Sequence, residues 1–271
     1  MPDVFFEISP AFALILAGVL ALAAPSNLIR KVLMIAGPLA GLALWFMVRE
    51  PGVYGLVEIG PFTLETFRFD ALSRVWALVF LLISFINGIY ALHERSRWAD
   101  AASLIYAGSA VGAVFAGDLL TLFFFWEITA IASAPLIFAA GGAVARRAGL
   151  RYLAIQVLSG VLLLGGASLW AVQAGSWSFG GMNETGVFDL SSAAGIAIFI
   201  GFGIKAGFPL LHMWLPDAYP KATGFGAVVL SAFTTKMAIY ALARGYAGEE
   251  ILITIGLVMA AGATGAAATP Q

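Results

Sequence analysis

An all-α bundle of transmembrane helices is the fold class this sequence predicts, and three observations carry that reading. Of its 271 residues, 61% are hydrophobic and only 11% charged, against roughly 45–50% and about 25% in a soluble domain. A water-soluble fold could not hide so much apolar surface. The apolar residues also come in long blocks, among them Ala11 to Ala24 and Ser191 to Ile204, approaching the roughly 20 residues a spanning helix needs. Finally, the blocks lack the alternation of barrel strands, and in hydrocarbon, where each segment must pair its own backbone groups, such runs are helices.

Hydropathy places spans at 10–25, 31–49, 72–92, 101–117, 119–140, 150–173, 190–211, 223–243 and 250–264. The first follows Asp3 and Glu7 and precedes Arg30 and Lys31, the reverse of a signal peptide's charge order, so it is expected to be retained with its N-terminus outside. Between the second and third spans, Pro51 to Asp70 is too polar to cross; Gly52, Gly55, Gly60 and Pro61 mark an external turn or short hairpin. The pairs Gly108/Gly112 and Gly203/Gly207 have the small-residue spacing of close helix packing. A second external loop, Ala174 to Asp189, holds four glycines. The seventh span is expected to break after Lys205, because Gly207 weakens a helix and Pro209 removes an amide donor. Ala260 to Ala268 is Gly/Ala-rich. The chain reads as one transmembrane domain over 1–271, with N-terminal helices over 1–100, a five-helix unit over 101–244 and a ninth helix or tail over 245–271.

Charge fixes the expected orientation. Parity puts Arg30, Lys31, Arg95, Arg97, Arg146, Arg147, Arg151 and Lys221 on one face, against Arg49, Arg68, Arg74 and Arg244 on the other. The richer face, including the loop Gly141 to Gly149, is expected to be cytoplasmic. Of the acids, only Glu94, Asp100 and Asp217 fall in its loops.

Composition excludes several function classes. With no cysteine there is no disulfide framework, thiolate zinc site or cysteine-held cluster. The two histidines, His93 and His212, stand far apart, so no metal site is read, and no bound cofactor is called for. Fourteen basic against fifteen acidic side chains leave no nucleic-acid footprint. The expected surroundings are the lipid bilayer.

The informative residues are charges where charge is costly. A carboxylate or ammonium at bilayer depth costs at least about 2.5–3.5 kcal/mol, so each is a functional hypothesis. Glu127 sits in FFFWEIT, about 12 Å below the outer end of its segment at about 1.5 Å per residue. Lys205 closes an apolar block beside the expected break, where freed carbonyls and half-helix ends can line a hydrated cavity. Lys236 lies midway along VVLSAFTTKMAIYAL with Ser231, Thr234 and Thr235 as hydroxyl neighbours. One acid and two bases are unequal in number, which favours titration over permanent pairing: a group balanced between desolvation and an opposite charge loads and releases protons readily. The competing reading is a set of buried pairs or snorkelling side chains that only hold helices together. His212, at the cytoplasmic end of the broken span, has the side chain suited to proton exchange, although a structural histidine fits equally. Asp217, between Pro216 and Pro220, reads as a cap or turn residue. To offset burial, Glu127 and Lys205 are expected in direct or one-water contact, with Lys236 approaching the same core.

These residues resemble the antiporter-like subunits shared by Mrp-type cation/proton antiporters, respiratory complex I and membrane-bound hydrogenases. The resemblance rests on Trp126–Glu127 in the fifth span, Lys205 with GFPLLHMWLPDAYPKA, Lys236 in the eighth span, and FRFDALSR from Phe67 to Arg74 at the entry to the third. It covers about Phe67 to Tyr246, and within the family it is most similar to the D-type subunits of Mrp antiporters. It implies that 101–244 is one of two inverted five-helix repeats. It also implies that Glu127 and Lys205 form a coupled pair and that Lys236 passes the proton onward, with His212 a possible intermediate. Two departures stand out: ATGFGAV replaces a proline-containing stretch after LPDA, and the sequence stops at Gln271 before a second repeat, which reads as truncation or completion by another chain.

The resemblance implies a proton- or cation-translocating subunit, not itself an enzyme, of a multisubunit antiporter in a multi-pass cell membrane, such as a bacterial inner membrane. Its partners would be other antiporter-complex membrane subunits, protons and monovalent cations. The alternative within the family is a proton-pumping subunit of a redox complex. From other classes, a small-molecule carrier would need a polar pocket that the spans, poor in Asn, Gln and acids, do not supply, and a purely structural membrane subunit is the other alternative.

Overall fold

The computed structural model describes residues 8–60, 62–179 and 188–267. The expectations for Asp3 and Glu7, for Pro61, for most of the second external loop and for the extreme C-terminus lie outside these residues. The described chain runs α1 (Pro10–Ala23), α2 (Asn27–Met47), β1 (Gly52–Ile59), β2 (Phe62–Phe69), α3 (Ala71–Tyr90), α4 (Arg97–Phe115), α5 (Leu119–Phe138), α6 (Gly142–Ala174), α7 (Ala193–Ala206), α8 (Trp214–Ala218), α9 (Gly224–Gly245) and α10 (Ile251–Ala267). Each expected span is occupied by a helix. Six of them, α2, α3, α4, α5, α6 and α9, are long and apolar enough to cross a membrane, while α1, α7 and α10 are shorter apolar helices.

Side-chain hydroxyls and carboxylates set the helix starts. Ser26 caps α2, Ser96 caps α4 and Asp118 caps α5, each accepting an N–H three residues on. Asp70 and Ser73 cap α3 reciprocally at 2.9 Å, the device written in FRFDALSR; each such cap is worth about 1 kcal/mol. Thr223 caps α9 through Gly226, so ATGFGAV starts this helix without the proline.

The middle of the bundle is α4, whose apolar window is 89% buried against 39% for α2, α3 and α6. Its alanines, serines and glycines permit this. A Cβ on Gly108 would stand 2.9 Å from the Ala11 carbonyl of α1, so this position makes the expected close approach. Gly203 and Gly207 do not pack helices. Gly203 accommodates the ring of Phe208, and Gly207 ends α7 in the left-handed region at φ +80°.

Contacts between loops sort the two ends of the bundle as parity predicted. At one end the β1–β2 hairpin closes over α4 and α5: the Glu65 amide donates to Asp118 Oδ2 at 2.8 Å, Ser178 Oγ donates to Glu65 Oε1 at 2.7 Å, and Arg244 reaches Asp70 at 2.9 Å. At the other end Arg30 Nε (2.6 Å) and Lys31 Nζ (2.7 Å) both donate to Asp100 Oδ2. Here the sequence reading needs correction, because Arg30 and Lys31 lie in the first turns of α2, and Asp100, placed in a loop, is fully buried in α4. Hydropathy registers only their charge, while mutual pairing lets all three fold into helix. Likewise Gly141 to Gly149 is not a loop: α6 begins at Gly142, since Ala, Arg and Leu extend a helix beyond its apolar part.

Candidate functional site: the break after Lys205

The seventh span is interrupted as expected. After Gly207 the chain runs irregularly through residues 208–213, where Leu210 also takes a positive φ of 70°, and then enters the five-residue α8. Trp214 anchors the return, its Nε1 donating to the Ile204 carbonyl at 2.9 Å.

Lys205 lies in the last turn of α7 and is fully buried, at the helix end where the macrodipole favours a cation. Its Nζ donates to the Trp126 carbonyl at 2.7 Å and to Thr129 Oγ1 at 3.1 Å, and stands 4.5 Å from the Trp126 ring centroid. Trp126 is itself fixed: its Nε1 donates to Ser159 Oγ at 3.0 Å, and Ser159 Oγ donates to the Gly201 carbonyl at 2.7 Å. One network thus ties α5, α6 and α7 around the ammonium. Two charge-assisted bonds at about 1.5–3 kcal/mol each, with a desolvated cation–π contact of about 2, offset the roughly 2.5–3.5 kcal/mol of placing a lysine at depth. The third N–H has no oxygen acceptor among the described residues.

Glu127 adjoins this site without closing it. The carboxylate interacts electrostatically with Lys205, yet no salt bridge joins them, so the expected direct contact is not made. The reason is where each group points. Lys205 is held by the residues flanking Glu127, whereas the carboxylate lies over Gly160 of α6, where any Cβ would collide with it. Its buried Oε1 has no hydrogen-bond partner among the described residues.

Lys236 and His212 are not brought to this point. The buried face of α9 carries Phe233, Thr234, Met237 and Ala238, and Lys236 falls on the opposite, exposed face, its Nζ donating to the Ser231 carbonyl at 2.7 Å. Thr234, expected beside it, points inward to Tyr106. His212 is exposed on the irregular segment. Asp217 is not a cap: it accepts a bidentate bond from Arg151 at 2.8 and 2.9 Å and one from Lys221, pinning α8 to α6. Those bonds, Arg151's first, hold its carboxyl down at about 2. Among the described residues no cluster of metal-ligating side chains forms.

Sequence reasoning missed the polar residues between α5, α6 and α9. Gln156 is fully buried with neither amide atom bonded among the described residues, and Ser133, Tyr152, Tyr106 and Thr234 join their hydroxyls nearby. The available signal was a lone amide in the apolar run from Tyr152 to Val172.

Residues 116–263, which contain Glu127, Lys205, His212 and Lys236, match the family model described as NADH:quinone oxidoreductase/Mrp antiporter, transmembrane. The chain belongs to this family. The D-type subunit of the Na(+)/H(+) antiporter of Bacillus subtilis is 26% identical over 185 residues, covering 65% of this chain and 37% of that protein. The corresponding D-type subunit of a probable K(+)/H(+) antiporter of Rhizobium meliloti is 29% identical over 249 residues, covering 82% and 43%. The chain therefore spans less than half the length of these two relatives. A chain of the Mrp complex from Dietzia sp. DQ12-45-1b superposes with a TM-score of 0.74 at 23% identity, covering 89% of this chain and 48% of that one. The protein is accordingly an antiporter-like, multi-pass membrane subunit with the family's fold.

Proposed function

We propose that the chain moves protons or monovalent cations across a cell membrane as one subunit of a multisubunit cation/proton antiporter, with Lys205 and Glu127 as its titrating pair. The observation that carries this is the incomplete bonding of two adjacent charges. Among the described residues, Lys205 retains one N–H and Glu127 one buried oxygen without a partner. A permanent structural pair would be expected to use both valences on each other, since an unpaired buried polar group costs about 1–3 kcal/mol. Left open, they suit a bridging water and a proton that changes owner with small movement. Lys236 would act at a later stage, on the face of α9 that other helices of the complex cover. Membership of a proton-pumping redox complex would appear as co-purifying flavin or iron–sulfur subunits.

Transport in vesicles containing the assembled complex tests the pair. Lys205→Ala and Glu127→Gln should each abolish cation-dependent proton flux while assembly persists. Lys205→Arg should fail too, because a guanidinium does not release its proton. Near-normal flux in the double variant Glu127→Gln with Lys205→Met would overturn the reading, since neutral replacement of a merely structural pair is often tolerated.

A further inference from the structure

Another set of buried polar groups gathers where α3 meets α4. Asn87 and Ser84 of α3 and Ser103 of α4 line a small enclosed cavity of about 10 Å³, closed by apolar side chains of α2, α4 and α9, among them Met34, Leu104 and Phe233. The three polar residues are between 4% and 7% exposed. Gly88 lets α2 run against α3 beside the cavity, because a Cβ there would collide with the Met34 carbonyl. Phe233 closes the α9 side, its ring packed edge-on against Phe80 of α3 at 5.4 Å. The room is that of a single water, which needs about 10–15 Å³.

Donors and acceptors around this cavity do not match one another. Ser84 Oγ gives its proton to the Phe80 carbonyl at 2.7 Å, and Ser103 Oγ gives its own to the Asp100 carbonyl at 2.7 Å. Each hydroxyl therefore offers only lone pairs to the cavity. Asn87 offers the reverse, since its buried Nδ2 has no acceptor among the described residues. The group that fits must accept once and donate twice, which a water does and neither a metal ion nor an ammonium can. With its amide turned over, Asn87 would present a third oxygen, the ligand type of a hard cation. Charge decides against that reading. One turn along α4 from Ser103, Asp100 carries both Arg30 and Lys31, so the neighbourhood already holds two cations to one carboxylate.

We propose that the cavity binds one structural water, which accepts from Asn87 Nδ2 and donates to Ser84 Oγ and Ser103 Oγ, joining α3 to α4 inside the bundle. Three bonds are typical of a buried water. The bridge deepens a polar seam that begins at the rim. There Lys31 Nζ of α2 donates to the Ala91 carbonyl at the end of α3 at 2.6 Å and to Asp100 of α4 at 2.7 Å. The Ala91 amide donates in turn to the Asn87 carbonyl. A lysine thus ties the two helices at the rim, and the water ties them about one turn deeper, where Phe233 seats α9 against both. The water is a neutral ligand of the scaffold and moves no charge.

The experiment uses the assembled complex in liposomes and brief radiolytic hydroxyl-radical labelling, which oxidises a buried methionine beside bound water. Met34 and Met237 are equally shielded, at 1% and 0% exposed, but only Met34 lines the cavity. Met34 should be oxidised at least about ten-fold faster than Met237, and by the same factor when sodium in the medium is replaced by potassium or choline. Equal oxidation of the two methionines would overturn the proposal. A Met34 rate that follows the cation would overturn it too, by marking a metal ion in place of water. Asn87→Leu, similar in size, removes the donor and should bring Met34 down to the Met237 rate. An assembled Asn87→Leu complex that keeps the fast rate would show that the amide holds no water there, and the assignment would fall. If that variant does not assemble, the two rates in the unmodified complex decide alone.

Discussion

Asp217 shows how much a single side chain does around the break. Its carboxylate takes two bonds from Arg151 on α6 and one from Lys221, and these partners hold its titration at about 2. A carboxyl depressed in the folded state contributes stability that is fully present above its ordinary value of 3.8 and is lost as pH falls through the folded value. The clasp between α6 and α8 should therefore be indifferent to pH from neutrality down to about 4 and open only between there and about 2. Asp217→Asn should remove that acid transition from an unfolding measurement, release the clasp at every pH, and lower global stability near neutrality by at most about 1 kcal/mol, the worth of an exposed pair. The same residue marks a limit of sequence reading. Flanking prolines identified a turn, but the partner that gives Asp217 its role lies 66 positions away.

Among the elements, the broken α7 was the most legible and the orientation of α9 the least. Gly207 and Pro209 act locally, so their effect on the helix is visible in the letters. The side on which Lys236 emerges depends on which face of α9 meets α4, and that is set by Phe233 and Thr234 packing on Tyr106, a tertiary choice. Lys205 and Glu127 were found because charge in an apolar run is visible without a fold. Gln156 and the tyrosines are uncharged and blend into the hydropathy. The break itself is testable. Gly207→Ala would force an alanine to hold φ +80° and bring its Cβ within 2.8 Å of Leu215, costing about 1–2 kcal/mol for the backbone and about 1–3 for the overlap. Gly165→Ala in mid-α6 meets nothing within 4 Å and should be neutral or stabilising by up to about 1 kcal/mol. Denaturation of the purified complex by a titrated detergent should rank the two variants in that order.

For the whole molecule, alternation of loops between two ends was legible from span counting, and the loop contacts reproduce it. The side each end faces rests on the basic-residue bias. The chain has no cysteine, so single thiols are clean reporters. A cysteine at Ala143, exposed at the start of α6, should be shielded from a membrane-impermeant external reagent, and one at Val57 of the hairpin should react with it. The reverse pattern would invert the orientation. The exposed face of α9, with Lys236 beside Val228 and Ile239, is poor material for lipid contact at about 2.5–3.5 kcal/mol for the lysine. A nitroxide at Ile239 should accordingly be shielded from dissolved oxygen in the assembled complex and accessible to it when this chain is inserted alone.

The length of α6 ties the break to the lipids around it. Its 33 residues extend about 50 Å at about 1.5 Å each, against a hydrocarbon layer of about 30 Å. Arg146, Arg147 and Arg151 all lie at one end of α6, and in a bilayer basic side chains there favour the headgroup level; Arg151 is also the arm that grips Asp217. A thicker or thinner bilayer changes the tilt of such a helix, and with it the position of that arm relative to α8. Turnover in liposomes should then pass through an optimum as acyl chains lengthen from about 14 to about 22 carbons, on the fraction-of-a-kilocalorie-per-ångström scale of hydrophobic mismatch. Asp217→Asn should flatten that optimum by releasing the mechanical link between membrane thickness and the seventh span.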